Sequence, residues 1–208
     1  MKYEKFIGAI VMLVSFGSFA GIDLRVGGGL NLSNEIYSGV KKLPDNYDKK
    51  MHPGFNAGVN TAIYFSKHIG LLTGLNYETR GSGWKRGEDD PNGQMSADFS
   101  LNYLQIPVFF SYRPIPAFAL SLGPELGIFL FGKQKFDGDK SDLKEIKSID
   151  FGATLTADYT IANMIAVGAG YYLGFLNNDD RPGGEFGEGS IKNLNIKLFV
   201  AYVFHLKK

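Results

Sequence analysis

The residues of this chain with the means for chemistry are few and widely spread. His52, His68 and His205 are its histidines, and it has no cysteine. That excludes a thiolate nucleophile, a thiolate metal site and a disulfide framework. Serines at 33, 38 and 96 lie in segments that can meet His52. A serine–histidine pair there would be the start of a lipid-modifying hydrolase at a membrane surface. A nucleophile needs its base within hydrogen-bond reach, and no spacing in the chain imposes that, so an exposed histidine is the simpler reading. The run "GGGLN" lacks G-x-G-x-x-G spacing and no helical pattern follows it, which argues against a phosphate loop. "FDGDKSDLKE" (136–145) places acids at 137, 139 and 142, but an EF-hand loop would need Gly and Glu where Asp142 and Ser148 stand. This segment and the acidic "NNDDRPGGEFGEG" (177–189) read as solvated loops, with a loose role in bridging divalent cations or lipopolysaccharide as the alternative. No catalytic residue, metal ligand or cofactor site is expected.

A second set of charged residues is far more regular. Asp23, Arg25, Glu78, Arg80, Glu125, Asp150, Asp158 and Lys197 all fall on the polar phase of segments that alternate apolar and polar. Period-two alternation over such lengths marks β-strands. Eight segments show it, at about 22–33, 53–65, 69–80, 99–112, 118–131, 148–159, 165–175 and 194–204. Each has ten or more residues, against roughly five or six for an ordinary globular strand and about nine to eleven for one that spans a bilayer. In the fourth segment the apolar phase slips by one between Tyr103 and Leu104, which predicts a β-bulge there, with Pro107 nearby. The connections alternate in length: 33–52, 81–98, 132–148 and 177–190 are long, while 66–68, 113–117 and 160–163 are short.

The apolar faces carry no Asp, Glu, Lys or Arg. The opposite faces, apart from the eight charges, are mostly small: Gly27, Gly29, Gly58, Gly74, Gly123, Gly127, Gly152, Ala119, Ser121, Thr154 and Thr156 among them. A water-exposed face has no reason to be small, but the lumen of an eight-stranded barrel does, since side chains just fill it. Aromatic residues of the apolar face gather at both strand ends. Phe65, Tyr112, Phe118, Tyr159, Tyr202 and Phe204 lie beside the short turns, and Phe55, Tyr77, Phe99, Phe151, Tyr171 and Phe175 lie toward the long loops. Two such belts suit two membrane–water interfaces. The expected fold is therefore all-β: an eight-stranded antiparallel up-and-down transmembrane β-barrel, with long extracellular loops and short periplasmic turns. Asp23, Arg25 and the other polar-phase charges then form a lumen network. It either plugs the barrel as paired ions or lines a thin water path, and the narrow lumen favours the plug.

Composition agrees with this. Glycine makes 27 of 208 residues and aromatics 14%. "MKYEK", the apolar "FIGAIVMLVSF" and "SFA" before Gly21 have the order of a secretory signal peptide, so residues 1–20 are expected to be a cleaved leader and 21–208 the barrel. Cleavage removes Lys2, Glu4 and Lys5 and leaves 20 basic and 20 acidic residues, with no field to attract nucleic acid.

With the strand plan in place, the chain resembles small Gram-negative outer-membrane barrels of the OmpA/OmpX type. "NYLQIPVFFSYRP" (102–114) followed by "LGPELGIFLFGK" (122–133) is similar to the PorT-like barrels of Bacteroidetes and their relatives, where a Y-L-E-I-P strand precedes a short turn and a G-P strand; Gln105 stands here in place of the Glu. "LFVAYVFHL" is similar to the terminal strand read by barrel-assembly machinery, although Lys207 and Lys208 extend past the aromatic Phe204. The resemblance implies an outer-membrane location among lipid and lipopolysaccharide, and an accessory part in protein secretion or a surface partner held by the long loops. The expectation is a non-enzymatic envelope or surface-interaction protein, with a narrow channel for ions or small solutes as the alternative and a lipid A-modifying enzyme behind both.

Overall fold

The computed structural model describes residues 20–38, 47–86, 95–143, 146–177 and 190–207. The expected leader lies outside them, save Ala20, as does most of the acidic stretch 177–189. The strands are β1 (Gly21–Ser38), β2 (Tyr47–Tyr64), β3 (Ile69–Arg86), β4 (Met95–Ile115), β5 (Phe118–Phe136), a short β6 (Asp139–Leu143), β7 (Ile149–Ile161), β8 (Ile165–Gly174) and β9 (Ser190–Lys207). Every pairing is antiparallel, in the order β4-β3-β2-β1-β9-β8-β7-β5, and β4 pairs with β5 to close the circle. Eight strands thus form a ring without a free edge, which is what a bilayer demands of a sheet. β6 folds back on the far end of β5 through Asp137 and Gly138, both at positive φ (46° and 103°). Asp-Gly is a favoured pair for such a two-residue hairpin turn.

β1 to β5 run 18 to 21 residues, longer than their alternating segments. Although β4 also gains 113–115 at the short turn, the extra length lies chiefly at the long-loop end. There the ladder continues but water wets the outer face, so the apolar alternation that marks a strand in lipid ends before the strand does.

Outward side chains form a continuous apolar band, including Val26, Leu30, Val59, Leu75, Val108, Leu122, Leu155, Leu198 and Val200, all large and exposed. From Phe204 to Leu194 on β9 the band is about 25 Å tall, taking ~3.3 Å per residue and a tilt near 40°. At its short-turn edge Phe65, Tyr112, Tyr159, Tyr202 and Phe204 are exposed, with Phe118 half-buried and Tyr202 stacked on Phe204 at 4.6 Å between ring centroids. At its other edge Phe55 lies against Tyr77 and Phe151 against Phe175, with Tyr171 exposed nearby.

The fourth segment departs from expectation. β4 pairs with β3 without a bulge through Tyr103 and Leu104. The irregularity lies in the facing strand, where Leu130 of β5 is the extra residue between the partners of Asn102 and Tyr103. Leu101 and Tyr103, expected on the lipid face, are buried in the lumen (1% and 0% exposed). Phe99 shares their phase and stacks edge-on against Phe136, so it is not part of the outer belt. The cause is a change of solvent rather than of register. Leu104 is the last apolar residue of β4 on the outward phase; beyond it that phase holds Asn102, buried and accepting from the Tyr77 and Thr79 hydroxyls, then Ser100 and the exposed Asp98. Above the bilayer the outer face is wet and the inner one dry. The hydrophobic phase inverts while the strand runs straight.

The small inner face has a direct packing reason. A Cβ on Gly27 would run into the main chain of Val200 and Ala201 on β9. On the lipid side, a Cβ on Gly28 would lie 2.6 Å from the carbonyl oxygen of Asn56, so β1 and β2 approach too closely there for any side chain.

Candidate functional site

The lumen is filled by polar side chains, and the eight charged residues of the polar phase all point into it. Their centre is Arg80 of β3, fully buried. Its Nε donates to Glu78 (2.6 Å), its Nη1 to Asp150 on β7 (3.0 Å) and its Nη2 to Glu125 on β5 (2.8 Å). The guanidinium lies 3.7 Å from the ring centroid of Tyr172 on β8. Lys197 of β9 reaches Glu78 (2.7 Å) and Glu125 (2.8 Å). Neutral donors complete the shell: Thr154 to Glu125 (2.8 Å), Asn193 to Asp150 (2.8 Å) and Asn195 to Glu78. Gln105 of β4, with its amide oxygen toward Arg80 Nη2 (3.2 Å) and its nitrogen toward Glu125 (3.3 Å), joins the same shell. Every strand of the ring from β3 to β9 thus sends a side chain into one cluster. Low-dielectric surroundings strengthen each contact, and none of the ions is tolerable there unpaired.

A second layer lies toward the short turns. Arg25 donates to Asp158 (2.9 Å) and to the Tyr64 hydroxyl (3.1 Å). Asp23 meets His205 Nδ1 at 2.6 Å, and His205 Nε2 lies 2.7 Å from the Asn163 carbonyl. Between the two layers is a cavity of about 100 Å³ bordered by Asn60, Asn76, Glu78, Glu125, Asp158 and Lys197. Asn60 and Asn76 exchange amide hydrogen bonds beside it (2.8 and 3.0 Å).

A third group staples the far end. The β2–β3 ladder breaks between Met51 and Asn56, where Pro53 has no N–H and Gly54 lets β3 come close. Side chains of β1 reach past β2 to close the gap. Asn31 donates to the carbonyls of Phe55 and Thr79 (both 3.1 Å), and the Gly81 N–H donates to Ser33 Oγ (2.8 Å). The residues considered for hydrolysis separate here. The Ser33 hydroxyl donates to the His52 carbonyl (3.2 Å), while the His52 ring meets Asp98 (2.7 Å). The Ser96 N–H donates to Asp137 (2.7 Å). The side chain of Ser38 lies outside the described residues. His68 sits in the turn after β2, its ring bonded to the Arg113 carbonyl (2.8 Å).

Sequence reasoning missed the neutral members of these layers. Tyr103, Tyr172, Asn193, Asn195 and Gln105 are among the most buried residues of the chain. The usable signal was the large polar or aromatic residue at a lumen position among glycines, as at Tyr172 between Gly170 and Gly174.

The fold has known counterparts among solved structures. No curated protein sequence matches the chain. Ail, the attachment invasion locus protein of Yersinia pestis, solved with the heparin analogue sucrose octasulfate, is similar at a TM-score of 0.52 and 16% identity over 88% of this chain and 99% of that one. A second structure of Ail gives 0.50 over the same shares and at the same identity. Neisserial surface protein A gives 0.51 at 13% identity, over 90% of this chain and 99% of that one. At such identity the likeness is one of fold. The outer membrane protein beta-barrel domain model matches residues 16–180, and the chain belongs to that family.

Proposed function

We propose that this is a non-enzymatic outer-membrane barrel whose lumen is closed by its own ion pairs and which serves envelope structure or surface interaction. The observation that carries this is Arg80, buried and bonded to carboxylates on its own strand, β5 and β7, with Lys197 locking two of them from β9. A cluster that ties four walls together across a narrow bore leaves water no straight path. Residues 1–20 act as the cleaved leader, the short turns face the periplasm, and barrel-assembly machinery reads β9. The strand extensions beyond the outer aromatic belt hold the long loops where a surface partner or, following the PorT-like resemblance, a secretion component would meet them.

Planar-bilayer recording of the purified chain tests the closure. Wild-type protein should give no steady conductance steps, whereas Arg80→Gln with Asp150→Asn should give small ones. Steady steps from the wild type would overturn the plug. They would favour a narrow channel, a reading supported by the cavity between the two ionic layers. Lipid A from cells with and without the gene should give identical mass spectra; a changed acyl or phosphate pattern would overturn the non-enzymatic reading.

A further inference from the structure

At the short-turn end the lumen opens into a recess of about 250 Å³, bordered by Asp23, Arg25, Tyr64, Arg113, Thr160 and His205. Its acid and one of its arginines already have partners. Asp23 is taken by His205 and Arg25 by Asp158. Arg113 is different. Its guanidinium lies 3.7 Å from the ring centroid of Tyr64, whose hydroxyl in turn accepts from Arg25. Its main chain is pinned at both polar atoms, the N–H donating to the His68 carbonyl (2.7 Å) and the carbonyl meeting the His68 ring (2.8 Å). Yet among the described residues nothing accepts a hydrogen bond from its side chain, and its Nε is buried without a partner, as is that of Arg25.

We propose that this recess binds a small oxyanion, a carboxylate or phosphate group, with Arg113 as the primary ligand and Arg25 behind it. A guanidinium presents its donors as a planar fork that matches such groups two bonds at a time. Stacking on Tyr64 holds the fork in place before the anion arrives, so less freedom is lost on binding. The recess is smaller than the roughly 300–1,000 Å³ of drug-sized sites, which suits a single anionic group. The proposal does not depend on the plug, since the Arg80 cluster lies beyond the Arg25 layer.

The test is an NMR titration of the arginine Nε resonances of the full chain in non-ionic micelles, with inorganic phosphate and with succinate. Saturable shifts at Arg113 and Arg25 are expected, weakened at least tenfold by Arg113→Gln and several-fold by Arg113→Lys, which keeps the charge but not the fork. Lys133→Gln, at the opposite end, should leave them unchanged. Nanodiscs of phosphatidylcholine with and without phosphatidylglycerol distinguish the sources. Shifts that appear with phosphatidylglycerol alone assign the anion to a lipid headgroup, and shifts that need the free anion assign it to a solute. Non-saturating shifts, or equal affinity in Arg113→Gln, would overturn the site. Should that variant lose its heat-modifiable gel shift, Arg113→Lys decides on the same criterion.

Discussion

Replacing Arg80 by methionine keeps much of the side-chain volume and removes one charge from the lumen cluster. Three ion pairs disappear, at 2.6, 2.8 and 3.0 Å. Their loss is uneven. Glu78 and Glu125 keep Lys197, but Asp150 retains only the amide of Asn193. One cation then faces three carboxylates, and Asp150 alone has no cationic partner, so the cost is that of a broken buried ion pair, roughly 3–5 kcal/mol. With a urea dependence of about 2 kcal/mol per molar, the unfolding midpoint should fall by about 2 M. Trp84, the sole tryptophan, stands at the far end of β3 and supplies the fluorescence signal in phospholipid vesicles. Adding Asp150→Asn to Arg80→Met should recover at least half the loss, since it removes the orphaned charge. Asp150→Asn alone should cost only about 1 kcal/mol, because two cations then face two carboxylates. A midpoint for Arg80→Met within about 0.5 M of wild type, or no recovery in the double variant, would refute the reasoning.

Further outcomes follow from the wall. Leu122 faces outward at 56% exposure within the apolar band, between Phe118 at its short-turn edge and Ile128, so Leu122→Arg should destabilise by about 2–4 kcal/mol in vesicles, read as a urea midpoint. Gly28→Ala forces apart β1 and β2 at Asn56, whose amide bonds Asn31 (2.6 Å); about 1–3 kcal/mol should be lost, with faster amide exchange at Gly81. Gly138→Val places a β-branched residue at a φ of 103°. It should fray the β5–β6 hairpin, seen as faster exchange at Lys135 and Lys140, while the heat-modifiable gel shift of the barrel persists.

Much of this was legible in sequence for a simple reason. In lipid one face of every strand must be apolar, so alternation alone marks eight strands and assigns Arg25, Glu78, Glu125 and Lys197 to the other face. The rule weakens where the lipid ends. Beyond Leu104 the outer face meets water, the dry side becomes the lumen, and Phe99, Leu101 and Tyr103 turn from an apparent bulge into packing above the ionic cluster. The outer strand extensions and β6 were hidden for the same reason, although the Asp137–Gly138 turn carried a local signal.

Sequence by itself determined the strand count, the ring they form and the phase on which the charges lie, because each of these follows from local period and from the solvent outside. Which charge meets which was decided only by closure of the ring. Arg80 and Asp150 are 70 residues apart, and Arg25 and Asp158 are 133 apart. Shear and tilt set which positions share a level, and no local pattern encodes either. The same holds for Arg113, an ordinary turn-flanking arginine in sequence. Only the closed barrel places it on Tyr64 with its donors unspent.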